Sequence, residues 1–105
     1  MTDNEMRVRL LLSAQGALLG QVPPTLRTVS VGVRDSVIYF RAVFEPAANE
    51  DDRGLLSDVA TMILADFADA QMDEEYLVIA PPTRPPHLKW LVFQRWEPQS
   101  EDGGS

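Results

Sequence analysis

The chain of 105 residues has no cysteine, one histidine and only nine basic residues against 16 acidic ones. Without cysteine there is neither a disulfide framework nor thiolate chemistry. The single histidine, His87, lies between Pro86 and Leu88 in a proline-rich stretch. No serine stands in a Gly-x-Ser-x-Gly setting, so a Ser-His-Asp site has no support. The six glycines are scattered or terminal and form neither a P-loop nor a Gly-x-Gly-x-x-Gly cradle. No apolar run approaches the roughly 20 residues of a membrane-spanning helix. The first residues, Met1 to Glu5, lack the basic start and apolar centre of a secretion signal. A net charge of −7 disfavours nucleic acid and anionic membrane as direct partners. A cytoplasmic location is the expectation.

What the chain does have is a concentration of acid. Glu45, Glu50, Asp51, Asp52, Asp58, Asp66, Asp69, Asp73, Glu74 and Glu75 fall within one third of the sequence, with Arg53 as the only base among them. The acid runs lack the spaced Asp-x-Asp-x-Asp-Gly pattern of a calcium loop, so no metal site is expected. Asp66 and Asp69 share a helical spacing, but spacing alone does not make a carboxylate pair catalytic. The expectation is a non-enzymatic protein with no catalytic residue and no cofactor.

Hydrophobic periodicity sets the organisation. A first helix is expected from Met6 to Leu19, with Asn4, Thr2 or Asp3 as its cap and Gly20 as its stop. Its broad apolar face is read as Val8, Leu11, Leu12, Ala14, Gln15, Leu18 and Leu19. Val29, Val31 and Val33 alternate with small polar residues in a strand from Leu26 to Val33. Arg34-Asp35-Ser36 is the turn into a second strand, Val37 to Phe44. A second helix is expected from Glu50 to Ala70, with Asp51 and Asp52 complementing its positive end. A third strand, Glu75 to Ala80, a stiff proline loop and a fourth strand, Lys89 to Glu97, complete the chain.

This order predicts an α+β two-layer sandwich. A four-stranded, mainly antiparallel sheet would be packed by two helices and partly exposed on its other face. Residues 1–98 would form one domain and 99–105 a flexible tail. Phe44-Glu45-Pro46 and Trp96-Glu97-Pro98 echo one another and hint at two αββ halves. On the last strand, alternation puts Trp90, Val92 and Trp96 on one side and Leu91, Phe93 and Arg95 on the other.

The sharpest pattern lies on the second helix. Leu56, Val59, Ala60, Ile63, Phe67 and Ala70 form one face at about 100° per residue. Leu55, Asp58, Met62, Asp66 and Asp69 fall on another. Like charges on that line repel with no compensating base, and two apolar side chains are embedded among them. Apolar anchors ringed by one sign of charge suit an interface with a basic protein. These five residues are the candidate partner-binding set. A homodimer or assembly subunit, joined through an exposed sheet face or edge strand, is the alternative.

The segments Leu10-Leu-Leu-Ser-Ala-Gln15, Leu26-Arg-Thr-Val-Ser-Val31 and Val59-Ala-Thr-Met-Ile-Leu-Ala-Asp-Phe67 sit in a short, acidic, cysteine-free α+β chain. That combination resembles the small immunity proteins of bacterial toxin systems, most closely the immunity partners of contact-dependent growth inhibition, over roughly Met6 to Glu97. The resemblance implies a stoichiometric inhibitor whose partner is a cognate toxin, a nuclease with a basic active-site cleft. It transfers no individual binding residue.

Overall fold

A computed structural model of the protein describes residues 2–98. The elements run α1 (Asp3–Leu18), β1 (Leu26–Arg34), β2 (Val37–Phe44), α2 (Glu50–Ala65), β3 (Gln71–Val78) and β4 (Trp90–Gln94). The tail expected at 99–105 lies outside the described residues.

Local signals account for the element ends. Thr2 caps α1, its hydroxyl oxygen accepting from the Glu5 backbone N–H at 3.1 Å. The helix therefore starts three residues before the expected Met6. Gly20, with φ +76°, turns the chain out of it. Asn49 and Asp52 cap α2 reciprocally, each side chain accepting from the other's backbone N–H. The β1–β2 turn holds Asp35 and Ser36 at φ 52° and 65°. Positive φ at both central residues matches the right-handed twist of the paired strands, but neither residue is a glycine. Ser36→Gly removes the Cβ from this left-handed conformation. It is expected to raise stability by up to about 1 kcal/mol, read as a shift in the urea midpoint at unchanged slope.

The sheet has the order β3-β2-β1-β4. It is mixed rather than mainly antiparallel: β1 is antiparallel to both β2 and β4, whereas β3 runs parallel to β2. Helix length explains this. The 16 residues of α2 rise about 24 Å at 1.5 Å each. That matches the roughly 26 Å of an eight-residue strand. The helix returns the chain to the level of Val37, so Gln71 pairs with Val37 and Val78 with Phe44. Accordingly β3 begins four residues before the expected Glu75. Pairing along β2 extends the strand through Asp73, Glu74 and Glu75 despite their poor strand propensity.

Both helices pack on one face of the sheet. Leu10, Ala14 and Leu18 of α1 and Leu56, Val59, Ala60 and Ile63 of α2 meet Val29, Val31, Ile38, Phe40, Ala42 and Phe44. The second face is not left open at its centre. Thr28, Ser30 and Val43 are buried there. The segment between β3 and β4 has to cross from one sheet edge to the other, and it does so over this face. The Leu88 backbone N–H donates to Ser30 Oγ at 2.9 Å, Arg41 donates to the Pro86 carbonyl at 3.3 Å, and Lys89 Cβ comes within 3.9 Å of where a side chain would begin at Gly32. A stiff proline-rich strap thus covers what alternation alone leaves exposed.

A bulge also overturns the expected parity of the last strand. Val29 pairs with Phe93, but Ser30 pairs with Leu91, leaving Val92 as an extra residue. Trp90 and Phe93 consequently both pack against the helix-side core, while Trp96 lies beyond the strand at 83% exposure. The fourth strand ends at Gln94, short of the expected Glu97.

Candidate functional site: the helical face and its acids

The candidate residues Leu55, Asp58 and Met62 lie on α2. Asp58 is exposed, Met62 is 41% exposed, and Leu55 is half-buried against the core. The helix ends at Ala65, five residues before the expected Ala70. Asp66 is its C-cap, and Phe67 then turns down into the core. Burial of that aromatic side chain outweighs continued helix at a terminus where acids already oppose the dipole.

The helix end separates the five candidates. Asp66 belongs to the seam between the helices: Ser13 Oγ of α1 donates to Asp66 Oδ2 at 2.6 Å. Arg9 of α1 lies over the Phe67 ring, 5.0 Å from its centre, and reaches the Asp66 carbonyl at 3.4 Å. Asp69 has left the helix for the turn before β3. It lines an open depression of about 630 Å³ with Asp3, Arg9, Arg34, Asp35 and Asp66. Leu55, Asp58 and Met62 therefore stay on one helix, whereas Asp66 and Asp69 occupy its end.

Two groups of α2 acids can be told apart by their partners. Asp52 is structural, closing the capping box and accepting from Thr25 Oγ1 at 2.7 Å. Asp58 has no part in any of the four salt bridges among the described residues, nor do Glu50, Asp51, Asp66 or Asp69. Among the described residues, Glu50, Asp51 and Asp58 of α2 are thus displayed outside any ion pair.

The ion pairs lie elsewhere. Arg27, 2% exposed, makes two parallel bonds to Glu97, from Nε at 2.8 Å and Nη2 at 2.7 Å. Its Nη1 donates to the Ile79 carbonyl at 2.9 Å. Arg95 also binds Glu97, at 2.9 Å, and reaches Glu45 at 2.6 Å. The two Glu-Pro echoes of the sequence thus converge on one arginine. Hydrogen bonds from Arg27, opposed by burial and reinforced by Arg95, hold the Glu97 carboxyl down to about 2 from its usual 4.5. Glu45 chiefly raises the Arg95 pKa further above its ordinary value. Arg27 and Arg95 stand 68 residues apart in the sequence. The repeated Glu-Pro was the one signal available for the cluster.

A second polar group joins α2 to β3. The Tyr76 hydroxyl donates to Glu74, and Ser57 Oγ of α2 donates to the same carboxylate at 3.3 Å. Burial, then Glu74, push the Tyr76 phenol up. His87 is exposed on the strap. Among the described residues, no three histidine or acidic side chains converge as a metal site. No helix among them is long and apolar enough to cross a membrane.

The arrangement offers a displayed surface of two helices with exposed acids on α2, in which neighbouring side chains mostly position one another. No curated protein matches the chain. The family of MafI2 immunity proteins matches it over residues 7–97, from the first turns of α1 through the Glu97 ion cluster. The chain belongs to the MafI2 immunity protein family.

Proposed function

We propose that this protein neutralises its cognate toxin by covering a basic cleft of the toxin domain with the acidic face of α2. Leu55, Asp58 and Met62 are the contacts on the helix, and Asp66 and Asp69 extend them past its end. The toxin in this reading is a nuclease, delivered between cells by contact and met in the cytoplasm of the protected cell. Acids would then take the place of substrate phosphates. The observation that carries the reading is the exposure of Asp58 beside Met62 on a helix where, among the described residues, Glu50, Asp51 and Asp58 enter no ion pair. Such a charge field speeds encounter, while apolar contacts slow release.

The test is binding of the toxin domain encoded beside the gene for this protein. Asp58→Lys and Asp69→Lys are combined with Asp66→Asn, which keeps an acceptor for Ser13. Affinity is expected to fall about 30-fold at 0.15 M salt, mostly in the association rate, as for charges at an interface rim. Unchanged association kinetics and unchanged salt dependence would remove the acidic face from the interface.

Assembly through the sheet is the weaker reading. The strap occupies the centre of the free face. The β3 edge presents Asp73, Glu74 and Glu75, which a second copy would have to approach with the same charges.

A further inference from the structure

The two helices differ in what they show to solvent, and the difference runs against expectation. The inward side of α1 carries Leu10, Ala14, Ala17 and Leu18. At 100° per residue, Val8, Leu12 and the C-cap residue Leu19 fall nearly opposite that side. Their exposures are 45%, 64% and 80%. A surface helix with one buried face ordinarily turns polar residues outward. Here the chain from Leu10 to Leu26 contains no charged residue at all. Val22, just past the helix, adds another exposed apolar side chain. Single exposed leucines need no explanation, but a line of them along the crest of one helix does.

The neighbourhood indicates what covers the line. The Ser13–Asp66 hydrogen bond and the Arg9–Phe67 contact fix α2 alongside α1. On α2, Met62 is exposed and Asp58 enters no ion pair among the described residues. An apolar line with uncompensated acids on the adjacent helix complements a surface that is apolar at its centre and cationic at its margin. A second copy fits less well, because each copy carries a net charge of −7 and would bring its own acids against the other's.

We propose that the α1 crest, Val8, Leu12 and Leu19, is the apolar centre of the toxin-binding surface, with the acids of α2 forming one margin. The proposal rests on the immunity reading above and moves the anchoring contacts from α2 to α1. Three side chains are only the middle of a stable interface, which buries on the order of 800 Å² on each partner. The flanking helix supplies part of the remainder.

The experiment uses the whole protein and the purified toxin domain encoded beside its gene. Leu12→Ser with Leu19→Ser removes apolar surface that already faces water, so thermal unfolding should change little. Dissociation should quicken and affinity should fall about 100-fold, with the association rate within about threefold of wild type. Toxin affinity equal to wild type would overturn the α1 proposal and leave the immunity reading standing. Failure of the wild-type protein to bind the toxin would overturn both. Sedimentation of the protein alone gives the remaining arm. A wild-type dimer that becomes monomeric in the variant, with toxin affinity unaltered, would assign the crest to a second copy and overturn the proposal.

Discussion

Arg27→Met is expected to cost about 3 kcal/mol, because it leaves the partly buried Glu97 carboxylate without its main partner and the Ile79 carbonyl without its donor. In a domain of this size that corresponds to a fall of more than about 10 °C in the unfolding midpoint. Methionine keeps the apolar stem, so the loss isolates the guanidinium. That group joins three elements at once: it sits at the bulge between Leu26 and Thr28 on β1, holds Glu97 beyond β4, and ties down the Ile79 carbonyl beyond β3. Arg95 extends the cluster to Glu45 after β2. The ends of all four strands are therefore secured at one arginine pair.

The same cluster sets the acid sensitivity. The Glu97 carboxyl has a lower pKa folded than unfolded, so its stabilisation is complete above about pH 4.5 and is lost as pH falls towards 2. Glu97→Gln should remove on the order of 2 kcal/mol at pH 7, a value reduced for partial solvent screening. It should also flatten the dependence of stability on pH between about 4.5 and 2. A wild-type protein whose urea midpoint does not change across that window would contradict the cluster's role.

Phe40→Ala is expected to cost about 4 kcal/mol, a large fraction of the stability of a small domain. Phe40 is fully buried near the centre of β2, on the face covered by both helices. Its ring lies 6.3 Å from that of Tyr76 on β3 at an angle of 60°, a tilted aromatic pair. Truncation opens a cavity where helices and sheet meet, and it takes one partner from the tyrosine that helps orient Glu74. Equilibrium urea unfolding measures the loss. A cost below about 1 kcal/mol would mean that the helices can settle into the space.

Much of the local structure was legible in the residues. The bounds of β2, the turn at Asp35-Ser36, the stop at Gly20 and the acidic start of α2 follow from alternation, turn chemistry and capping. These are interactions between residues a few positions apart, and periodicity reports them directly. The inward face of α2 was correct through Ile63 for the same reason, while Phe67 is buried from beyond the helix end. On α1 the pattern placed Ala14 and Leu18 correctly in the core, but it also named Val8, Leu12 and Leu19, which are exposed, and passed over the buried Leu10. From Leu10 to Leu19 every residue but Gln15 is apolar or small, so spacing there does not reveal which side is buried.

The candidate site divides along the same line. Asp58 and Met62 stand exposed on α2, as helical spacing suggests. The end of the helix at Ala65, the attachment of Asp66 to Ser13 and the placing of Asp69 beside the open depression depend on α1, which lies more than fifty residues away in sequence.

Composition and short-range pattern determined the acidic balance, the lack of cysteine and the order of helices and strands, because those properties depend on residue type and near-neighbour spacing. Only packing in three dimensions decided the parallel β2–β3 pair, the strap over the second face, the parity change at Val92 and the convergence of Glu45 and Glu97 on Arg95. Each of these depends on distant segments meeting, and the free energy of such meetings is not carried by any one of the segments involved.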